Sequence, residues 1–263
     1  MTLLARDPAK VNQLYPDSNI AVVKGSYADL STFKDALPGH TRLYLLITDV
    51  ANKAKHARSI AEAAYAAGIK QIVDVSCICS GQSWRGNVVN IAYREAEEAI
   101  LSIPNRGAYV ALRPAGFMTN ELRVSAYTIK KSNEILGSYP PDHIEGWVSP
   151  TDIGALAAII FQEPIEKHGD GVYDMVSDFI TGEQRAAIYS KVLGREIKYR
   201  QISASESYQL HVDLLKMPHL LAYILCHVVR PYRIVPNDLL SILLKRKTET
   251  FEEWLISQKE NYP

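Results

Sequence analysis

The sequence predicts an α/β fold, in which a doubly wound parallel sheet that lacks its usual first strand is followed by a smaller, mostly helical C-terminal lobe. Apolar or β-rich runs alternate with helical segments as far as Pro114, and such alternation is typical of parallel sheets with right-handed crossovers. Beyond Ala115 the helical segments dominate. No internal repeat and no long linker rich in Pro, Gly or Ser interrupts this order.

The elements of the first half have clear local signals. A strand begins at Thr2, and residues 42–48 form an apolar run suited to a strand that is covered on both faces. The alanine-rich helix over 51–67 is stopped by Gly68, and the strand over 108–113 ends at Pro114. The other predicted elements are strands at 20–25 and 71–76 and helices at 8–14, 30–37 and 90–102.

The second half has fewer strand signals. A helix over 150–161 has Ser149 or Thr151 near its cap, and a capped helix over 181–193 is closed by Gly194. The helical stretch 203–229 is interrupted at Met217 and Pro218. The other predicted elements are helices at 120–135 and 251–258 and strands at 171–176 and 196–202. We therefore expect a single domain over 1–263, with a core at 1–114 and a substrate-covering lobe at 115–263, some of whose elements return to the core.

The composition favours a small-molecule partner. The 263 residues contain 29 Lys and Arg and 29 Asp and Glu, so no global field attracts nucleic acid or an anionic membrane. The apolar stretch 220–229 is too short to span a bilayer, and no signal peptide is indicated. The three cysteines make no disulfide framework and only a weak metal signal, which indicates a reducing, cytosolic compartment and predicts no metal site.

The beginning of the chain reads as the second strand of a dinucleotide-binding fold. No G-x-G-x-x-G or G-x-x-G-x-x-G spacing occurs in the 263 residues, although such a turn normally lets the backbone approach a pyrophosphate. A gap in the middle of a sheet would leave backbone groups unpaired. We expect either that the Thr2 strand pairs directly with the strand over 42–48 or that the natural product carries an upstream segment.

One segment carries the most specific signature. The run Arg113-Pro114-Ala115-Gly116-Phe117-Met118-Thr119-Asn120 follows a predicted strand and resembles the "RPxxFMxN" segment of the NmrA-like group of atypical short-chain dehydrogenases. Four other stretches are similar to the same family in the same order: 5–10 to its "VRDPxK" stretch, 73–76 to its fifth strand, 148–154 to its "DIG" helix start, and 250–254 to its closing helix. The resemblance implies a Rossmann-like fold that binds NADP or NAD.

The resemblance also indicates residues for the cofactor. Arg6 follows a strand at the place where the family often sets a guanidinium on the NADP 2′-phosphate, and Lys10 could assist it; otherwise both are solvated surface charges. Ser26 and Tyr27 stand where relatives contact the adenine side. Thr48 ends a strand at the edge where open α/β sheets bind ligands. Pro114 and Phe117 belong to the signature segment.

The candidate catalytic residues depart from the pattern of short-chain dehydrogenases. Those enzymes use Tyr-x-x-x-Lys, but here Glu97 stands four residues after Tyr93, and the family's lysine position is occupied by Tyr93 itself. A carboxylate disfavours the phenolate form of a neighbouring tyrosine, so pocket lining or packing is the stronger expectation for Tyr93. Ser76 ends a strand where relatives hydrogen-bond the substrate.

An apolar substrate pocket is predicted between the sheet and the lobe, although each of its residues could instead belong to the core. The candidates are Trp84, Phe117, Asn120, Trp147, Met217 and Tyr223.

The sequence leaves three functions open. The first is an NAD(P)-dependent oxidoreductase acting on a small, largely apolar metabolite, in fungal secondary metabolism by analogy with fungal relatives that include tailoring reductases. The second is a cofactor-independent isomerase, lyase or cyclase that reuses the same cleft. The third is a non-catalytic, redox-sensing regulator. Nucleotide binding separates the first from the second, and turnover separates the first from the third.

Overall fold

The computed structural model describes residues 1–16, 19–27, 29–82, 88–227 and 236–262. The chain forms two compact units, each built from several stretches of sequence. The first unit consists of Met1–Val75, Ala92–Ala111 and Pro164–Val172, and the second of Ser76–Ile91, Leu112–Glu163 and Tyr173–Pro263. The expected division into a core at 1–114 and a lobe at 115–263 stays a prediction.

Strands and helices alternate along the first half of the chain, as predicted. In chain order they are β1 (Thr2–Ala5), α1 (Pro8–Leu14), β2 (Ala21–Lys24), α2 (Ser31–Ala36), β3 (Arg42–Leu45), α3 (Lys53–Ala66), β4 (Gln71–Val75), α4 (Val88–Leu101) and β5 (Ala108–Pro114).

The second half contains more strands than its sequence indicated. Its elements are β6 (Gly116–Phe117), α5 (Ser125–Ser132), β7 (Glu134–Gly137), β8 (Ile144–Val148), α6 (Pro150–Gln162), α7 (Ile165–His168), β9 (Val172–Met175), β10 (Asp178–Thr181), α8 (Gly182–Leu193), β11 (Lys198–Gln201), α9 (Ala204–Asp213), α10 (His219–His227), α11 (Leu239–Leu244) and α12 (Phe251–Ser257). None of the helices in the described ranges is long and apolar enough to cross a membrane.

The strands of the first half form two separate sheets. β1 and β2 make a two-stranded parallel sheet in which Leu3 pairs with Val22. A four-stranded sheet has the order β3-β4-β5-β9, and β3 and β4 are parallel with Leu43 opposite Ile72. The expectation that the Thr2 strand pairs directly with the strand over 42–48 is therefore wrong, because within the described residues β1 pairs with β2 alone.

One apolar core stabilises the first unit. It is built from buried side chains of helices α2, α3 and α4 and strands β3, β4 and β5, including Phe33, Leu45, Ile60, Ile72, Ile100 and Tyr109. The partly buried Leu4 and Tyr27 also pack against this core. The β1–β2 sheet is thus attached to the unit through apolar contacts, the dominant favourable contribution to folding.

The predicted helix over 120–135 is replaced by three elements. A 3₁₀ stretch covers Met118–Leu122, α5 ends at Ser132, and β7 follows and pairs in parallel with β11. Asn133 adopts a left-handed conformation with φ 55°, which asparagine tolerates better than most residues and which ends a helix. The side chain of Ile135 is then buried in the core of the second unit.

The helix caps of the second unit agree with the sequence signals. Ser149 caps α6 and accepts a hydrogen bond from the Thr151 N–H, with Pro150 in the first turn. Thr181 and Gln184 form a reciprocal capping box at α8, and Gly194 ends that helix with φ 70°. These local signals depend on neighbouring residues only, which is why the sequence located these ends closely.

Candidate functional site

The first unit contains a cluster of buried polar side chains, which we call the buried polar cluster: Lys53, Asp74, Glu97 and Tyr109. Their exposed fractions are 1%, 1%, 5% and 2%. Burial of ionised groups is unfavourable by several kcal/mol per ion unless they are paired. The cluster therefore depends on mutual contacts among its members and on hydrogen bonds to the backbone.

Lys53 provides the positive charge of the cluster. It is the first residue of α3, and its ammonium donates a hydrogen bond to the carbonyl oxygen of Ile47 at 3.1 Å. The same Nζ lies 4.2 Å from the centroid of the Tyr93 ring, within the range of a cation–π contact. Helix α4 carries no lysine after Tyr93, but α3 places one over the face of its ring.

Asp74 lies in the middle of β4 and receives a hydrogen bond on Oδ2 from the Tyr109 hydroxyl at 2.9 Å. Its Oδ1 has no hydrogen-bond partner among the described residues. Burial raises the pKa of Asp74 to about 6; the charge of Lys53 and the Tyr109 hydrogen bond oppose this rise, and Glu97 adds to it. Asp74 is thus an acid whose ionisation is disfavoured in the folded protein.

This raised pKa predicts how stability depends on pH. Because the pKa of Asp74 rises from 3.8 to about 6 on folding, the folded state holds the proton more tightly. Protonation of Asp74 therefore stabilises the folded state. This stabilisation is complete below the pKa of the unfolded state and is lost, by about 3 kcal/mol, as the pH rises through the pKa of the folded state. Asp74→Asn should abolish this loss, which urea unfolding of both proteins across that pH range measures.

Asp170 offers a control of opposite sign. Its pKa is lowered, chiefly by hydrogen bonds from Arg106, and Arg106 is 2.7 Å from its Oδ2. Stability from Asp170 is therefore present at neutral pH and lost as pH falls through its folded pKa. Asp170→Asn should change the acid side of the profile only. An unchanged difference between pH 4 and 7 in Asp74→Asn would contradict the assignment for Asp74.

The exposed ends of two parallel strands present further candidate residues of the first unit. Arg6 follows β1 and is exposed, and so is Lys10 on α1, whose N–H donates to the Asp7 capping carboxylate at 3.2 Å. Thr48 follows β3 and is exposed. Carboxyl ends of parallel strands are where open α/β sheets bind ligands.

The turn after β2 is fixed by packing. A side chain at Gly25 would meet Leu4 Cδ1 at 2.5 Å and Thr32 Oγ1 at 2.8 Å. The half-buried Tyr27 donates its hydroxyl to the Leu46 carbonyl at 2.7 Å. Ser26 is half-buried and forms an isolated bridge with Asp29. The adenine contacts predicted for Ser26 and Tyr27 stay predictions.

In the second unit, the candidates near the signature segment have different environments. Ser76 is 3% exposed, and its N–H donates to the Leu112 carbonyl at 2.7 Å. Pro114 is buried at the end of β5. Phe117 is half-buried in β6, opposite Val148, whereas Asn120 is exposed.

The predicted pocket residues do not share one environment. Trp147 is 8% exposed and lies in the core of the second unit, with its ring centroid 5.5 Å from that of Phe251. Met217 is half-buried and Tyr223 is 51% exposed. Trp84 lies outside the described residues. A role in substrate binding stays a prediction for all of them.

A second buried ionic group lies in the core of the second unit. Arg185 is 3% exposed and lies 3.1 Å from Glu145 and 3.6 Å from Glu121, with its guanidinium 4.9 Å from the Trp147 ring. Burial raises the pKa of Glu145, and Arg185 opposes that rise. The Tyr189 hydroxyl donates to Glu121 at 3.2 Å. This group joins β8, α8 and the stretch before α5.

Sequence reasoning missed most of the buried polar cluster. Asp74 gave a signal, because a carboxylate within the apolar strand Gln71–Val75 requires a buried partner. Lys53 gave none, since a lysine at the start of a helix is usually solvated. Its burial depends on the tertiary contact with Ile47 and Tyr93.

A comparison with protein-family models decides the relationship. The model described as the NmrA-like family matches residues 2–233. The chain belongs to the NmrA-like family. This confirms the resemblance carried by the signature segment.

Two curated relatives are similar over about three quarters of this NmrA-like chain. A reductase of (4-alkanoyl-5-oxo-2,5-dihydrofuran-3-yl)methyl phosphate from Streptomyces griseus is 26% identical over 76% of the chain and 68% of its own length. Quinone oxidoreductase 2 of Escherichia coli is 27% identical over 77% of the chain and 68% of its own length.

Solved structures confirm the fold class. The NADPH-dependent quinone oxidoreductase from Escherichia coli, in complex with NADPH, has a TM-score of 0.81 and 24% identity, covering 98% of this chain and 90% of its own. The triphenylmethane reductase of a Citrobacter species, complexed with NADP(H), has a TM-score of 0.78 and 19% identity, covering 98% and 89%. The negative transcriptional regulator NmrA in complex with NAD has a TM-score of 0.73 and 14% identity, covering 97% of this chain and 85% of its own. The NmrA-like chain thus has the Rossmann-like α/β fold that its sequence predicted.

Proposed function

We propose that this NmrA-like protein is an NAD(P)H-dependent oxidoreductase that reduces a small, largely apolar carbonyl or quinone compound. Both curated relatives have reductase or oxidoreductase names. The single observation that carries the proposal is the contact of the buried Lys53 ammonium with the Tyr93 ring at 4.2 Å. The balanced charge and low cysteine count support a cytosolic role in small-molecule metabolism.

Tyr93 is the proposed proton donor. A cation over the ring face stabilises the phenolate more than the neutral phenol. Lys53 therefore offsets the effect of Glu97, which stands one helical turn beyond Tyr93. The Ile47 carbonyl holds the ammonium in place. In this scheme the Tyr93 hydroxyl donates a proton to the substrate oxygen, as a general acid. The nicotinamide would supply the hydride when bound.

The residues present fit one part of such a nucleotide. Arg6 is exposed at the carboxyl end of β1, and its planar guanidinium suits a 2′-phosphate. Lys10 is exposed one turn into α1. Asp7 lies between them and is engaged as the cap of α1. The 263 residues contain no glycine-rich turn for the pyrophosphate, so we assign Arg6 and Lys10 to the 2′-phosphate side only.

This assignment predicts a difference between the two nucleotides. Hydrogen bonds to charged groups contribute about 1.5–3 kcal/mol, and each 1.4 kcal/mol is about tenfold in affinity. Arg6→Ala should therefore weaken NADPH binding by about 10- to 100-fold and leave NADH binding unchanged. Isothermal titration calorimetry of both nucleotides measures this. Arg58→Ala, which removes an exposed arginine paired with Glu62, is the matched control. Equal weakening of both nucleotides would contradict the role of Arg6.

The same titration tests the function itself. The proposal expects NADPH to bind to the full chain and to be oxidised when a quinone or carbonyl substrate is added. Binding of nucleotide without turnover of any such substrate would favour a non-catalytic regulator. Failure of the protein to bind either nucleotide would contradict the proposal and favour a cofactor-independent isomerase, lyase or cyclase.

A further inference from the structure

Cys77 and Cys79 bring two sulfur atoms together directly after β4. The Sγ atoms of Cys77 and Cys79 are 2.6 Å apart, which is closer than a hydrogen bond between two thiols allows. A covalent disulfide has a length of about 2.05 Å. The two thiols therefore need little movement to form a bond. Neither residue serves the buried polar cluster or the proposed proton transfer.

The turn itself presents Cys77 as the acceptor. The backbone N–H of Cys79 donates to the Cys77 sulfur, at 3.3 Å. Cys77 caps the 3₁₀ stretch Ile78–Gly81, and the Asn90 side chain donates to the Cys79 carbonyl at 2.6 Å. Hydrogen bonds to a sulfur stabilise its thiolate form. The turn thus holds the Cys79 sulfur beside a sulfur atom that is stabilised as a nucleophile.

The two cysteines differ in access to solvent. Cys79 is 5% exposed, whereas Cys77 is half-buried. An oxidant in solution therefore meets Cys77 first, and Cys79 is placed to resolve the product. Oxidation-sensitive cysteines are commonly accessible and lie next to such a resolving cysteine.

A metal site accounts less well for this pair. Two thiolates bound to one zinc ion at about 2.3 Å in tetrahedral geometry are held much farther apart than these two sulfur atoms. In the described ranges, no group of three or more His, Cys, Asp and Glu side chains could hold a metal ion. The short separation favours a covalent bond between the sulfurs.

We propose that Cys77 and Cys79 form a reversible intrachain disulfide when the protein meets a hydroperoxide. The Cys77 thiolate attacks one peroxide oxygen, the O–O bond breaks, and Cys77 becomes a sulfenic acid as the first water or alcohol leaves. The Cys79 sulfur then attacks the Cys77 sulfur, the S–O bond breaks, and water leaves with the thiol proton. Two thiols are oxidised by two electrons and one peroxide is reduced.

The third cysteine provides an internal control. Cys226 is 7% exposed, its thiol donates to the Ser207 hydroxyl at 3.4 Å, and its Sγ lies 3.8 Å from Nδ1 of His211. It belongs to α10 and lies far along the chain from the pair. Because burial shields Cys226 from an oxidant in solution, this thiol is expected to remain reduced under the same treatment.

The experiment treats the full reduced chain with hydrogen peroxide, alkylates it after denaturation, and analyses its peptides by mass spectrometry. The peptide that carries Cys77 and Cys79 should carry no alkyl group, and its mass should be lower by two hydrogens than that of the same peptide with two free thiols. Cys226 should be alkylated. Reduction with dithiothreitol before alkylation should make Cys77 and Cys79 available to the alkylating reagent again. Alkylation of Cys77 and Cys79 as complete as that of Cys226, or disulfides between two chains, would overturn the proposal.

Single substitutions separate the two roles. Cys79→Ser should leave Cys77 as a sulfenic acid that dimedone labels, because the resolving thiol is absent. Cys77→Ser keeps an oxygen that can accept the Cys79 N–H, and its Cys79 should stay reduced. Cys226→Ser should form the disulfide as the unmodified chain does. Loss of the disulfide in Cys226→Ser would contradict the proposal. So would a lasting sulfenic acid at Cys77 of the unmodified chain, detected by dimedone, if no disulfide to Cys79 forms.

Discussion

Replacement of Tyr93 by phenylalanine is expected to lower kcat by about 10²- to 10⁴-fold, the usual contribution of a positioned general acid. The aromatic ring and its contact with the Lys53 ammonium remain in this variant, so only the hydroxyl proton is lost. Nucleotide affinity should stay the same, because the proposed cofactor contacts lie at Arg6 and Lys10. Steady-state kinetics with NADPH and a quinone, with calorimetry of nucleotide binding, measure both effects.

Tyr127→Phe is the matched control for this prediction. Tyr127 lies on α5 and is 44% exposed, and the nearby ammonium of Lys131 is 5.7 Å from its ring centroid. The same loss of one hydroxyl group beside a lysine should leave kcat unchanged there. If Tyr93→Phe kept more than about a tenth of the unmodified kcat, Tyr93 would not be the proton donor.

Replacement of Lys53 by methionine is expected to destabilise the protein by about 3–5 kcal/mol, since removal of one partner leaves buried charge without compensation. Methionine has a comparable volume but cannot donate to the Ile47 carbonyl. Asp74 and Glu97 then lie in the core without the ammonium. The free energy of unfolding, measured by urea titration near neutral pH, reports this loss.

The pH dependence distinguishes an electrostatic cause from a packing defect. Lys53 holds the pKa of Asp74 below the value that burial alone would give, so that pKa rises further in the variant. The destabilisation should therefore be smaller near pH 5, where Asp74 is protonated, than near pH 8. Lys55→Met, an exposed position on the same helix, is the control and should change stability little. Equal destabilisation at both pH values would contradict the electrostatic account.

Local signals in the sequence predicted much of the fold. Helix α1 occupies the predicted 8–14 because Asp7 caps it and Pro8 suits its first turn. Helix α6 begins after the Ser149 cap as predicted. The short strand β6, with two residues, has no periodic pattern to detect. Strand β8, which carries Glu145 and Gly146 in its interior, breaks the apolar pattern because Glu145 pairs with the distant Arg185.

The candidate site was less predictable than the fold. The position of Tyr93 on its helix came from the resemblance, but its partner Lys53 is 40 positions earlier in the chain and is brought there only by packing of α3. The pairing of β1 with β2 also depends on tertiary structure. In both cases the deciding contact joins segments that no local pattern connects.

Nucleotide-dependent reduction through Tyr93 is the activity that we propose for this NmrA-like chain. The most direct test is the rate of NADPH oxidation by the full chain with a quinone, followed by the nicotinamide absorbance. We expect a saturable, protein-dependent rate that is lost in Tyr93→Phe and kept in Tyr127→Phe. A rate no higher than that without protein, or an equal rate in Tyr93→Phe, would contradict it.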